Sequence, residues 1–282
     1  MSTLSHRGRP KTPTVILTGG LLLVIVFSAG SSSAQEYDLF DHFSFALETS
    51  WADMDSVIRF DSEAGPGTEL NFENDGGLSK SEIVPTLSFD WMMGRRHRLG
   101  GWWMKIDRDA TNQILEEIKW GDETFPIDEE VRFLLGSNEL ALNYTYMVIL
   151  KERHAFGIGG GFRTVKTTVG LSARDLEVSE EGDFTAPLPF VNFEYRYGIA
   201  EKWRLIADLG VFYLEIGDFS GGQYVLDAWV EYLAFKRISF GGGFRGTSID
   251  ADLTTGNEIA GDFTGSFKST VTSLRLFVRL RF

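Results

Sequence analysis

The last twelve residues of the chain alternate between two kinds of side chain. From Val271 to Phe282 the sequence reads VTSLRLFVRLRF, with Leu, Val or Phe at every second position from Leu274 onward and three arginines among the residues between. Successive side chains of a β-strand point to opposite faces. The pattern therefore predicts a strand with one apolar and one mainly cationic face, which ends on an aromatic residue.

Nine earlier segments alternate in the same way and predict further strands. They are residues 42–52, 83–93, 99–108, 134–148, 155–170, 186–198, 205–213, 224–232 and 238–246. In the segment 99–108 the phase is ambiguous, because Trp102 and Trp103 are both bulky. We favour the phase in which Trp102, Met104 and Ile106 face outward.

The connections between these segments are alternately short and long. Four short turns lie near Arg95, Glu152, Glu201 and Lys236. Long acidic connections cover residues 53–81 and 109–130. With both chain ends on the side of the short turns, this order gives an even number of antiparallel strands, about ten. Eight or twelve strands are alternatives, and twelve would follow if the pieces Ser56–Asp61 and Thr68–Glu73 formed their own hairpin.

Residues 1–34 have the features of a secretory signal peptide. Three basic residues precede a mostly apolar run over residues 14–29, and small residues lead to Ala34. We expect cleavage near Ala34, which would leave residues 35–282 as the mature barrel. A retained single-pass anchor is the alternative, but the apolar run is short for a membrane span and contains two adjacent glycines.

No other segment has the ~18–20 apolar residues of a transmembrane helix, so the mature chain can cross a membrane only as a closed barrel. Its export signal and its alternating terminal strand ending on Phe282 resemble those of bacterial outer-membrane β-barrel proteins. The resemblance implies an all-β, transmembrane, antiparallel up-and-down barrel in the outer membrane of a Gram-negative-type bacterium. It also implies contact with outer-membrane lipids and lipopolysaccharide, and recognition of the C-terminal strand by the barrel-assembly machinery, with Phe282 as the signal.

Composition excludes some functions. The chain has 27 Lys and Arg residues against 40 Asp and Glu residues, a formal net charge of −13. Proteins that bind nucleic acid need a basic face for the phosphates, so we expect no nucleic-acid partner. The chain has no cysteine, which rules out disulfides and thiolate chemistry. No motif predicts a cofactor.

The polar faces of the predicted strands carry charges of both signs, and in a barrel they would face the lumen. The candidates for lining it are Glu48, Asp90, Glu139, Arg163, Glu194, Arg196, Asp208, Asp227, Glu231, Arg245, Arg275 and Arg279. Buried charges need partners, so the interior is predicted either as a filled, ion-paired core or as a narrow polar pore for small solutes. We favour the filled or gated interior, because a barrel of about ten strands is only slightly wider than the filled barrels of eight.

The pentapeptide GGGFR occurs twice, at residues 159–163 and 241–245. Neither copy precedes a predicted helix or the Lys-Ser/Thr of a phosphate-binding loop, so we interpret them as strand segments. Glycine within a strand marks tight curvature or the close approach of another chain segment. On this interpretation Arg163 and Arg245 point into the lumen.

Aromatic residues near the predicted strand ends favour an interfacial girdle of the kind seen in membrane barrels. They are Trp51, Tyr144, Tyr146, Tyr195, Tyr197, Trp203, Tyr213, Tyr224 and Tyr232. The alternative explanation is the ordinary preference of aromatic residues for strands.

The histidines do not predict an enzyme. Past the signal segment the chain has His42, His97 and His154, and all three fall at the end with the short turns. The sequence fixes no Ser or Asp partner for them and contains no G-x-S-x-G motif. We therefore predict a non-enzymatic protein, either a structural barrel or a narrow passive channel for small solutes.

Two alternatives remain at this point. The acidic loops, residues 109–130 above all, are the candidate surface for an adhesion or binding function, and a lipid-modifying hydrolase is a further possibility.

Divalent cations are candidates for binding at Asp122, Glu123, Asp128, Glu129 and Glu130, or at Glu69, Glu73 and Asp75. Because these groups lack the spacing of a calcium loop, we favour a solvated acidic surface and predict no metal site.

Overall fold

The computed structural model of the protein describes residues 38–62, 65–173, 178–216, 219–253 and 264–282. The chain divides into two units, Met1–Gln35 and Glu36–Phe282, and the first lies outside the described residues, as does the predicted signal peptide. Within the described ranges, no helix is long and apolar enough to cross a membrane.

The described residues form an all-β fold. The strands are β1 (Phe43–Phe60), β2 (Glu69–Asn71), β3 (Ser81–Met93), β4 (His97–Gln113), β5 (Ile118–Trp120), β6 (Glu123–Phe125), β7 (Glu130–Leu150), β8 (His154–Ala173), β9 (Val178–Ala200), β10 (Trp203–Ile216), β11 (Phe219–Tyr232), β12 (Ile238–Leu253) and β13 (Gly265–Arg281). Ten of them pair antiparallel in the order β1-β3-β4-β7-β8-β9-β10-β11-β12-β13.

Pairing between the first and last strands closes the sheet into a barrel. β1 and β13 remain in register from Ser44 opposite Arg281 to Phe60 opposite Gly265. At the chain end of this seam, the backbones of Phe43 and Phe282 exchange hydrogen bonds of 3.2 and 2.8 Å. The predicted closed, up-and-down, ten-stranded barrel is confirmed.

The remaining three strands are short and are not among the ten strands of the barrel wall. β2 pairs with residues 57–59 of β1, and β5 and β6 form a separate hairpin. The prediction of a twelfth strand from a hairpin within residues 53–81 is therefore wrong. Residues 56–60 continue β1, and β2 folds back against them.

The wall has two zones whose inner and outer faces differ. In the lower zone, from the chain ends to the level of Trp51 opposite Leu274, outward side chains such as Leu47 and Leu276 are apolar and exposed. In the upper zone, beyond that level, most outward positions on the same two strands are polar, as at Asp53, Asp55, Lys268 and Thr270. There the inward positions become apolar, as at Met54, Ile58 and Phe267.

This reversal corrects two predictions. Trp102, Met104 and Ile106 face the interior, while Trp103 is 43% exposed on the outside, so the favoured phase of this segment was wrong. The region 109–130 is not a single irregular loop. β4 extends to Gln113, β7 begins at Glu130, and the β5–β6 hairpin lies between them.

A hydrophobic core closes the barrel at the end with the long connections. It joins side chains of the upper wall to side chains of residues 65–80 and 114–129, which together we call the lid. The buried members from the lid are Leu70, Phe72, Leu78, Ile114, Ile118, Trp120 and Phe125. Backbone bonds of 3.1 Å from Gly121 to Phe60 and of 2.7 Å from Thr68 to Lys119 attach the hairpin to the wall and to the segment before β2.

Candidate functional site in the barrel interior

The lower interior is filled by arginines and carboxylates. Because both groups project from inward positions of neighbouring strands, they meet across the lumen and within one wall. Arg275 donates to Glu48 at 3.0 Å and lies 2.8 Å from Asp227, which also accepts from Arg245 at 2.7 Å. These side chains are buried or nearly so, and the pairing satisfies the charges that the fold removes from water.

A second group of ion pairs lies nearer the chain ends. Arg98 bridges Asp90 and Glu194, and its bond to Glu194 measures 2.6 Å. Arg279 reaches Asp90 at 2.6 Å and approaches Glu231 at 3.5 Å. Each carboxylate of this second group is shared by two arginines, so the arginines of the group are linked to one another through ion pairs.

The residues before β1 close the lower mouth of the barrel. We call Asp38–Asp41 the N-terminal plug. Arg204 donates to Asp41 at 2.5 Å and to Glu231 at 3.0 Å, and Arg281 donates to Asp41 at 2.6 Å and also bonds Asp38. The plug is thus held by side chains of β10 and β13, which lie three strands apart in the wall.

Backbone and apolar contacts also hold the plug. Arg196 donates to the carbonyl oxygen of Leu39 at 3.0 Å, and its guanidinium lies 4.5 Å from the centre of the Phe40 ring. Leu39 itself packs against buried Met92 and Met147.

The charge of Asp41 follows from these contacts. Burial raises the pKa of the Asp41 carboxyl, but the guanidinium groups of Arg204 and Arg281 lower it by more. The net pKa therefore lies below the ordinary value of an aspartate. Asp41 is accordingly an anion near neutral pH, matched to the cationic mouth.

Trp102 separates the charged layer from the apolar upper interior. The guanidinium carbons of Arg163 and Arg245 lie 5.1 and 5.3 Å from the centre of its ring, within the range of cation–π attraction. Arg163 also bonds Glu139. A cavity of about 120 Å³ lies among the charged side chains, and one of about 80 Å³ lies on the upper side of Arg163 and Arg245.

A separate ion pair is buried beneath the lid. Arg108 donates to Glu73 at 2.6 Å, to the carbonyl of Ser79 at 3.0 Å and to the hydroxyl of Ser56 at 3.2 Å. The other carboxylate oxygen of Glu73 accepts from the backbone of Ser56 at 2.7 Å. Glu73 thus attaches the lid to Ser56 and Arg108 of the wall.

In the part of the chain that the structure describes, no group of three or more His, Asp or Glu side chains is placed to hold a metal ion. Glu73, grouped with Glu69 and Asp75 in the sequence, is committed to Arg108. Asp75 accepts a bond of 2.8 Å from the backbone of Asn71.

All twelve residues proposed from the sequence to line the lumen occupy inward positions. The structure brings eleven of them into ion pairs, and Asp208 is the exception among the described residues. Arg204, whose place on the polar face of its strand also predicts a lumen position, points inward as well, whereas the inward side chains of Arg98, Arg108 and Arg281 were missed. Arg281 could have been found from the alternation of β13, because it shares the phase of Arg275 and Arg279.

Each GGGFR segment has an aromatic ring against one of its glycines, although at a different position of the repeat. A side chain at Gly161 would collide with the ring of Phe190, and one at Gly241 would collide with the ring of Phe277. The glycines therefore allow aromatic rings of neighbouring strands to lie flat against the inner wall, as expected from close approach. Arg163 and Arg245 follow them at inward positions.

Two of the three histidines lie in similar aromatic settings at the lower rim. His97 Nδ1 is 2.6 Å from the hydroxyl of Tyr144, and His154 Nδ1 is 2.9 Å from that of Tyr195. Each histidine lies directly opposite a second tyrosine in the strand register, Tyr146 or Tyr197. Both histidines therefore lie beside tyrosines of the lower rim, away from the charged interior.

No protein-family model and no curated protein matches this chain. Among solved structures it is similar to the outer-membrane protease OmpT from Escherichia coli, with 11% identity over 85% of this chain and 96% of that one and a TM-score of 0.50.

Two further structures were compared. The transport unit of the autotransporter AIDA-I from Escherichia coli gives 8% identity over 92% of this chain and 94% of that one, with a TM-score of 0.43. The attachment invasion locus protein Ail of Yersinia pestis gives 8% identity over 86% of this chain and 100% of that one, with a TM-score of 0.35. At these identities a likeness concerns the fold alone, and the similarity to OmpT agrees with the closed wall and its apolar outer face. The chain has the fold of bacterial outer-membrane β-barrels.

Proposed function

We propose that this protein is an exported outer-membrane barrel with a non-enzymatic, structural role, and that its lumen is closed at rest. The apolar outer face of the lower zone supports insertion in a bilayer, since such a band would be an aggregation hazard in water. On this proposal residues 1–34 are removed on export. The polar outer face of the upper zone then stands among the sugars of lipopolysaccharide.

Insertion would begin from the C-terminal strand. Phe282 is 63% exposed, and its ring centre lies 6.4 Å from that of Phe43 at the β1–β13 seam. While the β1–β13 seam is open, this exposed aromatic side chain is available to the barrel-assembly machinery.

The observation that carries the closed state is the double blockage of the lumen. The N-terminal plug is bonded into the lower mouth by Arg196, Arg204 and Arg281. The hydrophobic core beneath the lid fills the upper mouth. The ion-paired arginines and carboxylates lie between them, so the described residues obstruct the lumen at three levels, which supports a closed resting state.

The positions of the histidines support a role without hydrolysis. The Nδ1 atoms of His97 and His154 are engaged by tyrosine hydroxyls at the outer rim. Neither histidine belongs to the buried set in the lumen, where a substrate enclosed by the barrel would lie.

Conductance in planar bilayers tests this proposal. The wild-type barrel should give rare or no channel openings. Deleting residues 36–41, or replacing residues 114–129 by a short Gly-Ser linker, should increase openings, and deleting both should give a steady current. Glu201→Gln, a charge change in an exposed turn, is the matched control and should stay silent. Steady wild-type conductance would overturn the closed state.

A narrow gated passage is the second candidate, and the two internal cavities favour it. They share Arg163 and Arg245 as lining residues, so displacement of the plug and lid would connect them past Trp102. In the doubly deleted barrel, Arg163→Gln or Arg245→Gln should then change the ratio of cation to anion current. An unchanged ratio would exclude this route.

A further inference from the structure

Two neighbouring short turns carry a cluster of basic residues at the lower rim, which we call the basic rim cluster. Lys202 lies in the turn from β9 to β10, and Lys236 and Arg237 lie in the turn from β11 to β12. All three side chains are exposed, and among the described residues no carboxylate forms an ion pair with them. Glu201 is the one acidic residue of the two turns, so the cluster has a net positive charge.

Backbone hydrogen bonds hold the two turns side by side. The amide of Leu233 donates to the carbonyl oxygen of Lys202 at 2.8 Å, and the amide of Arg281 donates to that of Arg237 at 2.8 Å. Because β11 lies between β10 and β12, and neighbouring strands are ~5 Å apart, the backbones of Lys202 and Arg237 are about two strand spacings from each other, ~10 Å. The long, flexible side chains of the two turns can span this gap to contact one anion.

Exposed aromatic rings lie next to the cluster, at the edge of the apolar outer band. Trp203 follows Lys202 and lies opposite Tyr232 in the strand register, with the two ring centres 4.7 Å apart. Phe235 precedes Lys236 and is 65% exposed. Aromatic side chains of membrane barrels gather at the interface between hydrocarbon and head groups. Basic side chains adjacent to these rings therefore lie at the level of the lipid phosphates.

Other parts of the barrel ends differ from this cluster. In the turn from β3 to β4, Arg96 donates to two backbone carbonyl oxygens of β7 at 2.8 and 3.1 Å, and in the turn from β7 to β8, Arg153 is half-buried. These turns offer Arg95 and Lys151 as single exposed basic side chains. In the lid, nine acidic residues accompany two basic ones. The strongest attraction for an anion is thus at the rim between β10 and β12.

We propose that Lys202, Lys236 and Arg237 bind the head-group phosphate of one anionic phospholipid in the leaflet that adjoins the lower rim. The inference rests on the proposed insertion in the outer membrane. Ammonium and guanidinium groups donate charge-assisted hydrogen bonds to phosphate oxygens, and the rings of Trp203 and Phe235 can pack against the start of the acyl chains. A zwitterionic lipid carries its own cation beside the phosphate, so it should bind more weakly. A soluble polyanion is the alternative occupant, but it would not require the adjacent aromatic rings.

Lipid retention in native mass spectrometry is the direct test. The mature protein, folded in a neutral detergent, would be titrated with phosphatidylglycerol or with phosphatidylcholine of the same acyl chains. We expect the wild type to retain about one phosphatidylglycerol in preference to phosphatidylcholine, with roughly fivefold weaker binding for each basic residue removed. Combining Lys202→Gln, Lys236→Gln and Arg237→Gln, the rim variant, should abolish the preference.

Three exposed lysines of the upper zone and lid provide the matched control. Lys80→Gln, Lys119→Gln and Lys268→Gln together change the net charge by the same amount and should leave retention unchanged. Equal retention of the two lipids by the wild type, or equal loss in the rim variant and the control, would overturn the proposal. Displacement of the lipid by soluble polyglutamate would assign the cluster to a soluble polyanion and would also overturn it.

Insertion into vesicles of phosphatidylcholine alone separates this inference from the proposed function. A folded barrel migrates on a gel as a fast band that boiling abolishes, and the wild type and the rim variant should both give this band after insertion. Failure of both proteins to insert would contradict the membrane barrel, and the lipid site with it. Normal insertion by a wild type that shows no lipid preference would contradict the lipid site alone.

Discussion

The lower and upper zones of the barrel wall are formed by the same strands, but the polarity of their inner and outer faces is reversed. In the lower zone the outside is apolar and the inside is charged, whereas in the upper zone the outside is charged and the inside is apolar. On β13 each change occurs within four residues, between outward Thr270 and Leu274 and between inward Val271 and Arg275. The strand geometry is constant, so the surroundings of the outer face, lipid or water, determine which side chains go outside.

The comparison also shows how each interior is stabilised. The upper interior is an ordinary hydrophobic core, completed by the lid, as in a protein dissolved in water. Burial of apolar side chains does not stabilise the lower interior in this way. Arginine and carboxylate side chains fill it and stabilise one another through ion pairs. The lid and the N-terminal plug lie at the two ends of the interior.

The largest expected effect concerns the upper core. Trp120 is fully buried and its ring centre lies 5.7 and 5.6 Å from those of Phe60 and Phe72. Trp120→Ala should lower the free energy of unfolding by about 3–5 kcal/mol and loosen the lid. Trp103→Ala, on the outer face, is the matched control and should cost less. Gel mobility against denaturant concentration measures both, and equal losses would argue against a packed lid.

Introducing a charge on the outer face of β13 separates the zones along one strand. Leu276→Arg, in the apolar band, should reduce the free energy of unfolding in bilayers by about 2–4 kcal/mol, whereas Thr270→Arg should cost about 0–1 kcal/mol. Asp55 lies directly opposite Thr270 and would accompany the new arginine. Denaturant titration in lipid vesicles measures the difference, and similar losses at both positions would contradict the boundary between zones.

The plug should respond to acid. Because the pKa of Asp41 is lowered by its arginine partners, its stabilising contribution is complete above about pH 4 and is lost as the pH falls through the lower folded-state value. Asp41→Asn should remove about 1.5–3 kcal/mol of stabilisation above about pH 4 and progressively less as the pH falls, because the wild type then loses the same contribution. In bilayers, channel openings should increase in the wild type as the pH falls below 4 and should already be frequent in Asp41→Asn at pH 7. If the wild type and Asp41→Asn opened equally often at each pH, Asp41 would not be the residue that holds the lower mouth closed.

The lower zone could be predicted from the sequence because one alternation extends over whole segments. In β13 every outward residue from Leu274 to Phe282 is apolar, and the arginines between them define the inner face. The ten strands and their order follow from ten such segments and from the four short turns between them. The twelve charges assigned to the inner face follow from the same phase.

The upper zone was harder to predict because its alternation has the reverse phase. Asp53 and Asp55 occupy the outward positions that apolar residues hold lower on β1, so the continuation of the strand resembles an acidic loop. At the boundary, Trp102 and Trp103 satisfy either phase. Nothing in the local sequence reveals that Leu70, Phe72 and Trp120 meet beneath a lid, or that Asp41 lies between Arg204 and Arg281. These contacts depend on residues that are far apart in the chain.

Labelling of single cysteines along the outer face of β13 tests the two-zone barrel most directly, since the chain contains no cysteine of its own. Lys268→Cys, Thr270→Cys, Leu276→Cys and Val278→Cys would be produced in bacteria and treated with a membrane-impermeant maleimide on intact cells. We predict labelling at positions 268 and 270 and protection at 276 and 278, with all four labelled after denaturation. Labelling at 276 and 278 in the folded protein, or protection at all four positions, would contradict a membrane barrel whose upper wall stands in water.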